Sequence, residues 1–362
     1  MFGKTNNLKK FRSMQNRDAD PKFIPIYQKL YEQYRNGILS QQYLPGSKID
    51  SINDMQRKHD ISRETAKHVL RKLSENDLII QKPGKGSFVC DLGPQKQIWG
   101  VIVPYFSALV DQLIYYLRRE AARLDRTLSH FVDYNNWQEE VRLVGTLINE
   151  RYEAVIVVPT FDETRTAAFY KRLHSGGSVV TLMNHTMTGS SFPYVIQSYD
   201  LGVKRAVQYL LTRCKKNLAF IKNNVWLGPN MVQDVLEENF RSFIEKESAD
   251  RRSYVVDDVK SVTKDWIDQE NIEGIFCFDD SDAVSIIGRL KSWGYAIPQG
   301  MAVVSYGNTD LSRYFTPAIT SIDPHVEKMA RILAQIIHEN QKGGDVSLYQ
   351  YVIQPDLVIR DT

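Results

Sequence analysis

Along residues 24–39 apolar side chains recur at Ile26, Tyr27, Leu30, Tyr31, Tyr34, Ile38 and Leu39, the three-to-four spacing of a helix that buries one stripe. Leu44-Pro45-Gly46-Ser47 breaks the pattern. Ser51 stands where a cap is needed for a short helix over Ile52–His59. Ser62 does the same for a helix over Arg63–Asn76, in which Val69, Leu70 and Leu73 form the apolar side. Strands are predicted at Leu78–Ile80 and Ser87–Cys90, with Lys82–Gly86 as the turn between them. Three helices followed by a strand, a turn and a strand predict a winged helix-turn-helix.

Asp91-Leu-Gly-Pro-Gln-Lys96 then reads as a Gly/Pro linker, and beyond it the rhythm changes. Short apolar runs are predicted as strands at Ile98–Val103, Ser129–Asp133, Ala154–Val158, Val179–Met183, Leu218–Ile221, Tyr254–Val256, Gly274–Phe278 and Ala302–Tyr306. Amphipathic segments such as Val110–Leu124, Trp137–Glu150, Asp200–Thr212 and Asp282–Trp293 fill the gaps as helices. Alternation of this kind implies an α/β domain with parallel, doubly wound sheets, and its length suggests two lobes around a cleft. The expected organisation is a disordered arm over 1–20, a winged helix-turn-helix over 21–91, a linker over 92–97 and a two-lobed domain over 98–362.

Charge sharpens that division. Residues 1–92 hold 17 Lys/Arg against 10 Asp/Glu, whereas 93–362 hold 29 against 33. A polyanionic partner is therefore expected for the first part only. The polar start, Met1 to Lys10, lacks the apolar core of a secretory signal, and no run of 18 apolar residues occurs. Cys90, Cys214 and Cys277 are too few and too scattered for a disulfide framework or a metal site. A reducing, cytoplasmic location is expected.

A helix-turn-helix reads DNA with the first turn of its second helix. There Arg63 is suited to pair with a guanine edge, Ser62 and Thr65 with phosphate oxygens, and Lys67 and His68 with phosphate or base. In the wing, Gly84 and Gly86 allow close backbone approach, and Lys82 and Lys85 supply charge. Ser51 is counted with this set. An ordinary salt-bridged surface helix is the plainer reading of Arg63, Glu64, Lys67 and Arg71 alone. The turn, helix and basic glycine wing together favour DNA.

Residues 24–90 resemble the N-terminal domain of the GntR family of bacterial transcription regulators. The resemblance lies in Pro25-Ile-Tyr-Gln28, Gly37-Ile38, Leu44-Pro-Gly46, Ile61-Ser-Arg-Glu-Thr65, Leu70-Arg-Lys-Leu73 and Gly84-Lys-Gly-Ser-Phe-Val89. It implies DNA contacts at Ser62, Arg63, Thr65, Lys67 and Gly84. One position departs: where the family carries an arginine that touches DNA, this chain has Asn53.

The larger domain lacks the usual catalytic sets. There is no Gly-x-Gly-x-x-Gly after its first strand, no phosphate-binding loop and no Gly-x-Ser-x-Gly elbow, and its histidines show no metal spacing. No residue stands out as the Schiff-base lysine of an aminotransferase-like domain. Polar and aromatic residues instead gather at predicted strand ends, where doubly wound sheets bind ligands. They are Tyr105, Phe106, Asp162, Asn184, Asp279, Asp280 and Asn308, a set suited to hydroxyl groups and to sugar C–H faces. Helix capping is the competing role for Asp279 and Asp280, and wall packing for Tyr105 and Phe106.

The segment from Ile98 to about Asp361 resembles the periplasmic-binding-protein-like effector domain of the LacI family. The motifs are Gly100-Val-Ile-Val-Pro104, Tyr152-Glu-Ala-Val-Ile-Val-Val-Pro159, Gly202-Val-Lys-Arg-Ala-Val207, Gly274-Ile-Phe-Cys-Phe-Asp-Asp280, Val303-Val-Ser-Tyr306 and Pro317-Ala-Ile-Thr-Ser-Ile322. The resemblance implies that Asp279 and Asn184 line the ligand cleft. Leu236 falls where a ligand-binding arginine is usual, and Gly307-Asn308 where an Asp pair is usual. The expectation is a homodimeric repressor of carbohydrate-use genes, without cofactor or metal, that binds double-stranded operator DNA and is released by a monosaccharide or a derivative. A nucleobase, another metabolite or a protein partner is the alternative effector.

Overall fold

The structure is a computed structural model that describes residues 25–39, 42–93, 95–160, 178–187, 192–223, 231–248 and 250–362. The arm expected over 1–20 lies outside the described residues. The chain divides into two compact units, one running to Lys96 and the other built from 97–170 and 179–362.

In the first unit, helices α1 (Ile26–Leu39), α2 (Ile52–His59) and α3 (Arg63–Glu75) precede strands β1 (Ile79–Lys82) and β2 (Gly86–Val89). The stripe of α1 is buried as expected: Leu30, Tyr31, Tyr34 and Ile38 pack with Met55, Val69, Leu70, Leu73 and Ile79. Local chemistry fixes where the helices begin and end. Ser51 and Asp54 form a reciprocal capping box, and Asp60 ends α2 in a left-handed conformation at φ 49°. The Ser62 hydroxyl accepts from Thr65 N at 3.1 Å and starts α3. The hairpin extends further than predicted. Lys82 pairs with Gly86, so both residues expected in the turn belong to the ladder.

The second unit holds two six-stranded sheets. The first lobe contains β3 (Lys96–Val103), α4 (Ala108–Arg123), β4 (Thr127–Val132), α5 (Trp137–Asn149), β5 (Tyr152–Val157), β6 (Val179–Met183) and β7 (Tyr194–Gln197). The second lobe contains α6 (Tyr199–Arg213), β8 (Asn217–Ile221), α7 (Met231–Glu247), β9 (Ser253–Val256), α8 (Lys264–Gln269), β10 (Ile272–Cys277), α9 (Asp280–Ser292), β11 (Ala302–Tyr306), α10 (Asp310–Tyr314) and β12 (Thr320–Asp323). The chain then returns to the first lobe with α11 (Val326–Gln341) and β13 (Gln350–Ile353), and ends in the second with β14 (Asp356–Val358).

The sheet orders are β4-β3-β5-β6-β7-β13 and β9-β8-β10-β11-β12-β14. The fold is α/β as expected, with β14 as an antiparallel edge beside β12. Strands β7, β12, β13 and β14 are absent from the sequence reading. Each has only three or four residues and mixes polar with apolar ones, so no apolar run marks it. They are also the segments that carry the chain between lobes, at 197–199, 323–326 and 353–356. The pattern thus disclosed two lobes but not their connections.

Each lobe has its own apolar core. Trp99, Val101, Leu117, Ala154, Met329, Leu333 and Ile337 anchor the first. Ala219, Ile275, Ile286, Leu290 and Val303 anchor the second. Burial of a side chain of this size contributes about 1.5–3 kcal/mol, so the cores, not the polar strand ends, dominate stability. Cys214 and Cys277 are buried free thiols. Burial pushes the Cys214 thiol up to about 11, which leaves it unreactive.

Candidate DNA-binding head and effector site

At the start of α3, Arg63 is exposed and makes no hydrogen bond or ion pair among the described residues. Ser62 is exposed, caps the helix and shares a 2.8 Å hydrogen bond with the Thr65 hydroxyl. Lys67 is exposed and held by Glu64 at 2.8 Å, a surface pair of little energetic weight. His68 departs from expectation. Its ring is half-buried against Tyr27, with centroids 4.4 Å apart, so it braces α3 on α1 rather than reaching outward. Ser51 is likewise occupied, since its hydroxyl donates to Asp54 at 2.6 Å. Asn53 and Arg57 are exposed on α2, and Asp54 holds Arg57 at 2.6 Å.

In the wing, Gly84 has φ +71° and Gly86 φ +107°, both in the region that side chains disfavour. Lys85 is exposed at the turn, and the Lys82 ammonium lies 5.0 Å from the centre of the Phe88 ring. Lys48, which the sequence reading passed over, lies across Gly86. A Cβ on Gly86 would stand 2.6 Å from Lys48 Cε.

The strand-end residues of the larger unit behave differently. Asp279 caps α9, accepting from Asp282 N at 2.8 Å, and Asn223 Nδ2 donates to it at 3.3 Å. Burial is the main force raising its pKa, with the neighbouring Asp280 charge adding to it. Asp280 is only 2% exposed. Its carboxylate accepts from the hydroxyls of Ser305, Ser321 and Thr309 and from Thr309 N. Both oxygens are therefore consumed by the protein, and the expectation that Asp280 meets ligand gives way to a bracing role. Asn308 is held by fewer bonds, and its amide keeps one N–H and one lone pair beyond them. It is buried, donates to Asp323 at 2.9 Å, and accepts from Arg360.

Asn184 adopts a left-handed conformation and accepts from Gln197 Nε2 at 3.2 Å. Gln197 Oε1 in turn accepts from Tyr306 Oη at 2.7 Å. Asn184, Gln197 and Tyr306 thus form a relay, half-buried at Asn184 and buried at the other two, from the first lobe through the first crossing to the second lobe. At the other crossings His325 Nε2 lies 2.8 Å from Asp356, which also pairs with Arg205. Phe106 is 47% exposed and meets His130 edge-to-face. Tyr105 is half-buried close to Tyr199. Asp162 lies outside the described residues. Leu236, at the position of the missing arginine, is 1% exposed and belongs to the core.

Sequence reasoning missed three groups at the carboxyl ends of β8 and β10. Asn223 is buried, Gln233 Nε2 donates to Asn223 O at 2.6 Å, and Asp282 is a buried acid pushed up to about 8 by burial and the Asp279 charge. The Lys222-Asn223 pair directly after the β8 run was the available clue. Among the described residues no group of three His, Cys, Asp or Glu side chains has the arrangement of a metal site.

Residues 26–89 match the family of bacterial regulatory proteins known as gntR, and residues 207–362 match the periplasmic binding protein-like domain. The chain is a GntR-type head joined to a periplasmic-binding-protein-like domain. The arabinose metabolism transcriptional repressor of Halalkalibacterium halodurans is 22% identical across 92% of this chain and 95% of its own length. The HTH-type transcriptional repressor PurR of Vibrio vulnificus is 28% identical over 41% of this chain and 39% of that protein. Among solved structures, a periplasmic binding protein/LacI transcriptional regulator of Alkaliphilus metalliredigens in complex with D-xylulofuranose has a TM-score of 0.63 at 17% identity, over 74% of this chain and 99% of that one. A CelR–cellobiose complex has a TM-score of 0.61 at 14% identity. At these identities the likeness establishes the fold of the two-lobed unit. The similarity to the arabinose repressor extends over both units.

Proposed function

We propose that the protein is a cytoplasmic, homodimeric transcription repressor whose DNA binding is released by a sugar held at the strand ends of the two-lobed unit. The observation that carries the reading is the exposed, unengaged Arg63 at the capped start of α3, in a chain whose remaining residues form a ligand-binding fold. A dimer places one head on each half of a pseudo-palindromic site. No helix among the described residues is long and apolar enough to cross a membrane, which is compatible with this location.

In the proposed mechanism the sugar binds between Phe106 on one lobe and Asp279 with Asn223 on the other. Closure strains or re-pairs the Asn184–Gln197–Tyr306 relay, and the dimer changes the spacing of its heads. A coupling of about 1–3 kcal/mol is enough to change operator affinity by a factor of 5 to 150. Support for a sugar comes from the partly exposed ring of Phe106 and the acceptor-rich end of β10, together with the similarity to arabinose repressors.

The test is a monosaccharide panel, read by thermal shift and by gel retardation of a duplex selected with the wild-type protein. At least one sugar is expected to raise the melting temperature and release the duplex. Asp279→Ser retains a capping hydroxyl and is expected to keep DNA binding while losing that response. A panel without effect on either readout would overturn the sugar reading.

A further inference from the structure

The wing is built from three chain segments rather than two. Lys48 forms an antiparallel bridge with Phe88, Ile49 N donates to Ser87 O at 3.0 Å, and Val89 N donates to Ser47 O at 2.9 Å. Residues directly opposite in a sheet share a face, and alternate residues along a strand share it too. One face therefore carries Ile49, Ile79 and Val89, which are 2%, 2% and 4% exposed. The other carries Lys48, Phe88, Ile80, Lys82 and Gly86.

That outer face has an unusual composition for solvent. Ile80 is 54% exposed and Phe88 half-buried, and the Lys48 and Lys82 side chains are both exposed. Lys82 lies over the Phe88 ring, while Lys48 passes across the bare backbone of Gly86. A glycine at position 86 thus does more than permit its φ. It leaves room for the Lys48 alkyl chain to lie flat and carries the ammonium toward the wing. Among the described residues neither ammonium has a carboxylate partner, and no Asp or Glu occurs in 44–49 or 81–89.

The wing is already read as a DNA contact, and we infer that Lys48, carried beside it by the segment before α2, adds a further cation to the sugar-phosphate backbone of double-stranded DNA. Two ammoniums flanking an aromatic and an aliphatic side chain match a strand in which phosphates alternate with apolar sugar edges. The contact is sequence-independent, and it offsets part of the affinity forgone where Asn53 replaces an arginine. It rests on the reading of the head as a DNA binder.

Each phosphate neutralised by a protein cation contributes about 0.9 to the slope of log affinity against log salt. The probe is a fluorescent 30-base-pair duplex of random sequence, bound by the full-length protein between 50 and 200 mM salt. Lys48→Ala is expected to lower the magnitude of that slope by about one unit, and to do so equally on a duplex selected with the wild-type protein. Lys48→Arg is expected to restore it, and Lys29→Ala, on the exposed side of α1, to leave it unchanged. A Lys48→Ala slope equal to wild type, or a loss confined to the selected duplex, would overturn the inference. If the wild-type protein itself shows no salt-dependent binding to either duplex, the reading of the head fails, and the inference with it.

Discussion

The head and the two-lobed unit place their polar side chains under opposite conditions. In the head, Arg63, Lys48 and Lys85 are exposed and unengaged, and Lys67 has only a surface partner. At the strand ends of the larger unit, Asp280, Asn308, Asn184 and Asp279 already hydrogen-bond the protein itself. A surface built for a polyanion needs charge that is free to move onto phosphates. A site built for a small neutral ligand needs groups whose positions are fixed beforehand, because freezing them on binding costs affinity. The same difference decides which substitutions act on binding and which act on stability.

The largest effect is expected where the polar group is most engaged. Asp280→Ala removes the acceptor for three hydroxyls and one backbone N–H in a buried site. Stranding those donors costs about 3–5 kcal/mol. The melting transition of the larger unit is expected to fall by several degrees or more, with retention of DNA binding by the head at low temperature. A variant as stable as wild type would break the comparison by showing that Asp280 is free for ligand.

That engagement is also why the head was legible in the sequence and the effector site only partly so. Helix boundaries in the head are set by neighbours: Ser51 with Asp54, Ser62 with Thr65, and a break at Leu44–Ser47. Each cause lies within a few residues of its effect. Asp280, in contrast, is positioned by Ser305, Thr309 and Ser321, which are 25 to 41 residues away. Gln197 and Tyr306 meet across 109 residues. No local period marks such partners, so strand-end position alone suggested ligand contact for residues that brace the protein. His68 failed for a related reason. Its ring packs on Tyr27 of α1, a partner from a distant part of the chain.

Asp133 sharpens the contrast from inside the larger unit. Its Oδ1 accepts from Asn135 N at 2.8 Å, whereas Oδ2 is buried without a partner. Burial, helped by the nearby Glu140 charge, pushes it up to about 8. An unfolded Asp titrates near pH ~4. The folded state therefore holds an extra proton between about pH 4 and pH 8, and stability declines across that window as the pH rises. Asp133→Asn keeps the Oδ1 acceptor and carries no charge. It is expected to match wild type at pH 4 and to gain on it as the pH rises, by up to about 5 kcal/mol at pH 8, in urea unfolding. Equal stability at both pH values would show that the site is hydrated.

Arg63→Ala tests the opposite pole. With no partner to strand, the substitution is expected to leave the melting temperature within a degree of wild type. Loss of a guanine contact costs about 1–3 kcal/mol, a ten- to hundredfold weaker complex with the selected duplex. Fluorescence anisotropy at fixed salt gives the number, and unchanged affinity would move the recognition surface away from the start of α3.

Tyr306→Phe carries the smallest expected energy and tests the boundary between the two behaviours. The Tyr306 hydroxyl, buried in the second lobe, donates to Gln197 at the first crossing, and Gln197 reaches Asn184 in the first lobe. Removing one neutral hydrogen bond costs about 1 kcal/mol, so the thermal transition is expected to move little. The relay nevertheless spans a connection between the lobes, about which the proposed closure would turn. If it holds the lobes in one arrangement, its loss lowers the difference between the open and closed states. The ligand concentration that releases DNA is then expected to shift by about fivefold, with no change in DNA affinity when ligand is absent. A shift in stability without a shift in release would place Tyr306 with Asp280, among groups that only brace the fold. A shift in release alone would show that a residue engaged with its own protein can still transmit the effector's presence, because a hinge acts through the bonds it already has.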